Sequence, residues 1–185
     1  MNFNSNKKLL VHTCCAPCAT YSFEKLISDK FFPVGFFYNP NIHPTEEYKR
    51  RLDEFIKFAD VKKYPLIIQE DSPELWFEAI KGFEQEKEGG SRCEICFRLR
   101  LEKTAIYARE NNFDGFTTTL TISPHKNTAI INQIGRELSE KHDLFFLEEN
   151  FKKNEGFKKS LELSRQYNLY RQSYCGCVFS QKVKP

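Results

Sequence analysis

An α/β sandwich is what this chain predicts: about five mostly parallel strands with helices on both faces. Three observations carry it. Short runs rich in aliphatic and aromatic residues alternate with longer stretches of helical periodicity, the pattern of parallel crossover units. No internal repeat, low-complexity run or linker interrupts the 185 residues, so 1–185 reads as one domain. Cysteine-bearing and polar segments follow the strands, where such sheets place their ligands.

Lys8 to Thr13 reads as a buried strand running into the segment CCAPC. A helix follows from Ala19 to Ser28. Phe32 to Tyr38 is a second strand, ending in the polar turn NPNIHP. Thr45 is placed to cap a helix to Ala59, because Tyr48, Leu52, Phe55, Ile56 and Ala59 share one face at helical spacing. Leu66 to Gln69 is a third strand. Ser72 and Pro73 open a helix to about Ile80, Ser72 capping and Pro73 at the first helical position. The acidic run EQEKE and Gly89-Gly90 form a loop. Glu94 to Asn111 is a strong helix, Phe116 to Thr121 a fourth strand, and SPHKN a loop. A helix over Thr128 to Lys141, a strand over Leu144 to Leu147, a helix near Gly156 to Tyr167 and a YCGC tail complete the chain.

Hydrophobic residues at 40% and charged residues at 29% describe a folded, water-facing chain. A net charge of +3 does not announce a nucleic-acid binder, so a polyanion site must come from local clustering. The start, MNFNSNKKLLVHTCC, has too short an apolar run for a secretory signal. The longest apolar run, Phe31 to Tyr38, is broken by Pro33 and Gly35 and cannot span a bilayer. No membrane association is expected, and the default compartment is the cytosol.

Seven cysteines fall in three groups: Cys14, Cys15 and Cys18; Cys93 and Cys96; Cys175 and Cys177. In a cytosolic chain such groups more often bind metal or do redox chemistry than form structural disulfides. Cys93 and Cys96 form a CxxC at a predicted helix start, where free N–H groups and the dipole favour thiolates. Cys14, Cys15, Cys93 and Cys96 supply four thiolates, the usual set for a [4Fe–4S] cluster or a tetrahedral zinc. Cys18 is then spare, for a further metal ion or as a buried thiol. A disulfide between Cys175 and Cys177 would close a small strained ring, and strain makes such bonds labile.

Arg92, Arg98, Arg100, Lys126, Lys152, Lys153 and Arg171 lie near these segments and suit phosphate contacts. The four histidines lack metal-ligand spacing; His125, beside Lys126, is a candidate proton donor. There is no Walker loop, GxGxxG or GxSxG.

Five segments in order, VHTCCAPC, FFYNPNIHPTEEYKRR, RCEICFRLRLEKTA, FTTTLTISPHKN and LYRQSYCGCVFS, resemble the epoxyqueuosine reductase family of the QueH type, from about Leu9 to Ser180. The resemblance implies a Rossmann-like domain related to adenine nucleotide hydrolase (HUP-like) folds. It implies an iron–sulfur enzyme that reduces the epoxide of epoxyqueuosine at the wobble position of tRNA to an alkene, the last step of queuosine synthesis. Carried over, Cys14, Cys15, Cys93 and Cys96 hold a [4Fe–4S] cluster, and Cys175 and Cys177 are a redox-active pair. Cys18 falls where an additional mononuclear iron would be held. The reaction takes two electrons and two protons and releases water, with Tyr174 or His125 as proton donor. Arg92, Arg98, Lys126 and Arg171 are the expected tRNA contacts, and an external electron donor is required. Two other readings stay open: a non-catalytic metal or iron–sulfur RNA-binding module, and a tRNA sulfur-transfer enzyme.

Overall fold

The computed structural model describes residues 7–181. Residues 1–6 and 182–185, the ends of the expected 1–185 domain and the beginning of the segment weighed as a leader, lie outside it.

Five strands form one wholly parallel sheet: β1 (Lys8–His12), β2 (Phe32–Phe37), β3 (Leu66–Ile68), β4 (Gly115–Thr118) and β5 (Phe145–Phe146). Their order is β3-β2-β1-β4-β5. The chain therefore winds one way from β1 through β2 to β3, then crosses back beyond β1 to β4 and β5. Six helices connect and flank them: α1 (Ala16–Ser28), α2 (Thr45–Lys62), α3 (Pro73–Ala79), α4 (Ser91–Glu110), α5 (Thr128–His142) and α6 (Gly156–Gln166).

The strand period of two builds both faces from the same residues. Leu9 and Val11 of β1 enter one core with Phe23 of α1 and Phe55 and Phe58 of α2. Leu10, between them, enters the other with Phe97 and Leu101 of α4, Phe116 of β4 and Ile134 of α5. A smaller core forms where Trp76 and Ile80 meet Cys96 of α4 and Cys177 of the tail. Among the described residues no helix is long and apolar enough to cross a membrane.

Boundaries shift in ways that matter for chemistry. Helix α1 begins at Ala16, three residues before its expected start, because Pro17 favours a first turn. Cys15 becomes its N-cap and Cys18 moves from a loop into the first turn. Helix α4 begins at Ser91, so Cys96 lies in its second turn. Pro44 holds the N-cap expected of Thr45, which is the first residue of α2. Strand β4 stops at Thr118, whose Oγ1 accepts a bond from the Leu120 N–H at 3.1 Å and starts a 3-10 turn over Thr119–Ile122.

Candidate metal and redox site

In a doubly wound sheet the crevice opens at the carboxyl ends of the strands where the winding reverses, here between β1 and β4. Cys14 and Cys15 follow β1 directly, and Ser123–Asn127 follow β4 after its single 3-10 turn. The tail closes the third side. Together they line a cleft of about 350 Å³ that includes Cys14, Cys18, His125, Lys126, Tyr174 and Cys175.

The sulfurs of Cys14, Cys15 and Cys18 all lie within 4.8 Å of one another, and Cys14 and Cys15 are 3.8 Å apart. No disulfide forms among the described residues. Contacts from the Cys15 and Cys18 thiols hold Cys14 well below the usual thiol range, helped by Lys126. Burial and the bond to Cys14 push Cys15 up to about 12. Cys18 is raised as well, by its contacts with Cys14 and Cys15. One thiolate is thus favoured first, with its two neighbours donating to it.

Cys93 and Cys96 depart from expectation. The helix start was expected to lower both thiols, yet both are raised. Burial outweighs the Gly89 N–H, which donates to Cys93 Sγ at 3.2 Å. Cys96 is 6% exposed, against Trp76 and Cys177, and burial drives it up to about 11. Loading a metal there displaces protons.

The charges around the thiols are cationic, Arg100 buried and Lys126 half-buried on the cleft wall. Arg100 is 1% exposed; its Nε donates to the Cys96 carbonyl at 3.1 Å, and Nη2 has no partner. It forms no ion pair with a carboxylate among the described residues. Burial works against its charge, but the surrounding cysteine sulfurs, Cys96 first and then Cys175, Cys14 and Cys93, more than offset that. Burial likewise opposes the charge of Lys126, and Cys175, Cys14 and Cys18 hold it above the ordinary lysine range. A buried guanidinium with an orphaned N–H, facing sulfur instead of carboxylate, suits an anionic metal–thiolate group. The clustered sulfurs of Cys14, Cys15 and Cys18 therefore fit a soft metal centre; Cys93 and Cys96 are not part of that group of three. Orphaned polar atoms also lie on Gln172, in the cleft lining, and on Asn39, which donates to the Thr13 carbonyl beside Cys14.

Behind the thiols sits His12, wholly buried. Its Nδ1 is 3.0 Å from Thr118 Oγ1 and its Nε2 3.2 Å from the Tyr38 carbonyl. Burial, then Arg100, lowers it to about 3, so it stays neutral and bridges β1 to β4 and to the turn after β2.

The expected tRNA contacts divide. Lys126 and Arg171 line the cleft, Arg171 exposed and donating to Ser164 Oγ at 3.0 Å. Arg92 does not present itself to solvent: it is 2% exposed, donating to the carbonyls of Glu84, at 2.7 Å, and Glu86. Its cationic head folds the EQEKE loop instead. Arg98 points into a separate groove between α4 and α5 and pairs with Glu137. Of the two proton-donor candidates, Tyr174 has its hydroxyl donated to the His43 carbonyl, whereas His125 is exposed on the cleft wall. Sequence reasoning missed Arg51, Gln172 and the role of Arg100. Gln172 Nε2 reaches Cys15 Sγ at 3.0 Å across 157 positions of sequence, and no local pattern signals such a contact.

Residues 9–183 match the family described as "Epoxyqueuosine reductase QueH". A protein of that name from Streptococcus pyogenes serotype M1 is 41% identical over 182 residues, 95% of this chain and 71% of that protein. One from Acinetobacter baylyi is 44% identical over 174 residues, 94% of this chain and 80% of the other. One from Thermotoga maritima is 38% identical, covering 93% and 89%. Among solved structures, the U34-tRNA thiolase NcsA from Methanococcus maripaludis with its [4Fe–4S] cluster superposes with a TM-score of 0.60 at 14% identity, over 97% of this chain and 63% of that one. A predicted tRNA methyltransferase subunit from Methanocaldococcus jannaschii gives 0.57 at 12%, over 85% and 74%. At these identities the two structures share the fold, a Rossmann-like α/β sandwich.

Proposed function

The chain belongs to the epoxyqueuosine reductase family QueH, and we propose that it reduces the epoxide of epoxyqueuosine in the wobble position of tRNA to the alkene of queuosine by iron–sulfur-dependent chemistry. The observation that supports this route is the meeting of Cys14, Cys15 and Cys18 with Lys126, His125 and Cys175 around one cleft at the switch point. Family membership leaves the RNA-binding-module and sulfur-transfer readings without support of their own.

Cys14, Cys15, Cys93 and Cys96 are the proposed ligands of a [4Fe–4S] cluster, with Cys18 placed to hold an additional iron. Such a centre, when bound, supplies electrons one at a time. The chain's own residues do the rest. Arg100 and Lys126 balance the negative charge of the thiolates. Cys175 and Cys177 give two electrons and two protons as they close to a disulfide. The epoxide accepts both, both its carbon–oxygen bonds break, and alkene and water leave. An external reductant restores the dithiol. His125, exposed at the wall, is the proposed proton donor to the departing oxygen. Arg171 and Lys126 would hold phosphates flanking a splayed base. One domain carries all of this, and a tRNA-modifying role places the protein in the cytoplasm.

The test is direct. The protein, reconstituted without oxygen, is given tRNA bearing epoxyqueuosine and a strong reductant, and the digested nucleosides are read by mass spectrometry. Queuosine should appear, and should be absent with Cys93→Ala. No conversion by a fully loaded protein that binds the tRNA would reject the proposal.

A further inference from the structure

Arg51 of α2 is 1% exposed, and its guanidinium is engaged on three sides. Nε donates to Glu47 Oε1 at 2.6 Å, one turn earlier on the same helix. Nη1 donates to the Cys175 carbonyl at 2.9 Å and Nη2 to the Tyr174 carbonyl at 3.2 Å. Glu47 is held in turn by the Tyr170 hydroxyl at 2.9 Å, so the tail grips the ion pair from both ends. The next residue, Gly176, has φ +124°, and its carbonyl accepts from the His43 N–H at 2.8 Å. A Cβ on Gly176 would stand 3.0 Å from Ile42 Cγ1 and 3.1 Å from Arg51 Nη1. Beyond it, Cys177 is buried against Trp76 and Cys96.

A planar guanidinium donates in a fixed fork, which an ammonium cannot reproduce. Two successive carbonyls taken by one fork, and the following carbonyl taken by His43, define the backbone from Tyr174 to Gly176. That backbone carries Cys175 and leads directly into Cys177, which the small core holds against Trp76 and Cys96. Neither phosphate nor base reaches Arg51, because the tail covers it.

We propose that Arg51 is the positioning residue for the Cys175–Cys177 pair, holding it in the open dithiol arrangement beside the cleft. The inference rests on the redox reading of that pair given above. Closing a disulfide across one glycine brings the two Cβ atoms together and moves the Cys175 carbonyl that Arg51 holds. Arg51 therefore favours the dithiol over the disulfide. The equilibrium is defined by exchange with glutathione disulfide. The two cysteine thiols lose two electrons and two protons and form one sulfur–sulfur bond, while glutathione disulfide accepts them and becomes two thiols.

The experiment uses the reconstituted full chain, equilibrated without oxygen at a series of glutathione ratios, trapped by alkylation and read by mass. Arg51→Lys keeps a positive charge opposite Glu47 but loses the fork. It should move the equilibrium about tenfold or more toward the disulfide, the worth of a hydrogen bond to a charged group. It should also lower kcat for tRNA conversion, counted per folded, cluster-loaded molecule, while leaving KM for tRNA unchanged; normalising to the loaded fraction removes the loss of kcat that general destabilisation would produce. Tyr170→Phe, which frees Glu47 without removing a charge, should shift the equilibrium the same way by less, and it carries the test if Arg51→Lys does not fold. A wild-type pair that closes, with its equilibrium unmoved in the variants, overturns the role of Arg51 alone. A wild-type pair that closes at no glutathione ratio overturns both that role and the redox reading beneath it.

Discussion

Thiol acidity in this protein is decided one residue at a time. Cys14, Cys15 and Cys18 share one environment, yet two thiols donating to the third drive Cys14 down, while burial first raises Cys15 and the thiol contacts raise Cys18. Cys93 and Cys96 sit near a helix start that should acidify them, and burial reverses the sign. The three clustered sulfurs also give Cys18 a role the four-thiolate set does not need. Cys18→Ala should lower the iron content of the reconstituted protein while acid-labile sulfide and the cluster's visible absorption stay. Loss of sulfide together with iron would instead make Cys18 a cluster ligand. The sequence showed which residues were thiols and that they were grouped; that Cys14, Cys15 and Cys18 turn their sulfurs toward one another was decided by the earlier start of α1 at Ala16. The burial that raises Cys96 comes with Trp76 and Cys177, which no local pattern attaches to it.

Elements were the most legible level. All five strands and six helices fall where hydrophobic period and turn residues place them, with ends displaced by a few residues where caps decide. The helical stretch Thr128 to Lys141 is an instance: its Asn127 cap accepts from the N–H groups of Ala129 and Ile130 at 3.0 and 3.4 Å. Within it, Gly135 separates intrinsic preference from packing. In an isolated helix Gly→Ala is worth about 1 kcal/mol of stability. Here an added Cβ would stand 2.1 Å from Cε1 of the buried Phe146 ring in β5. Gly135→Ala should therefore lower stability, by about 1–3 kcal/mol of overpacking, read as a smaller urea midpoint at unchanged slope. A gain would show that Phe146 has room to move. Fourth-strand length was misjudged because TTTLT is all β-favouring; the Thr118 hydroxyl ends the strand by bonding forward to Leu120.

On the scale of the whole molecule, charge becomes a matter of faces. Four basic residues were equivalent as sequence, and the fold scatters them: Arg171 and Lys126 at the cleft, Arg98 paired with Glu137 in another groove, Arg92 inside a loop. Binding of tRNA measured against salt should report this. Arg171→Ala should reduce the slope of log affinity against log salt by about one, and Arg98→Ala should leave it unchanged. Equal effects would place the RNA on both faces. The fold class, the order of the elements, the family and the identity of the cysteines were all carried by local pattern, because periodicity, caps and motif spacing are properties of neighbouring residues. That Gln172 touches Cys15 and that Arg51 grips the tail of the chain depend on contacts between residues more than a hundred positions apart. Those contacts exist because the sheet reverses its winding beside β1, so that segments distant in sequence end at the same edge and must satisfy one another's charges and hydrogen bonds.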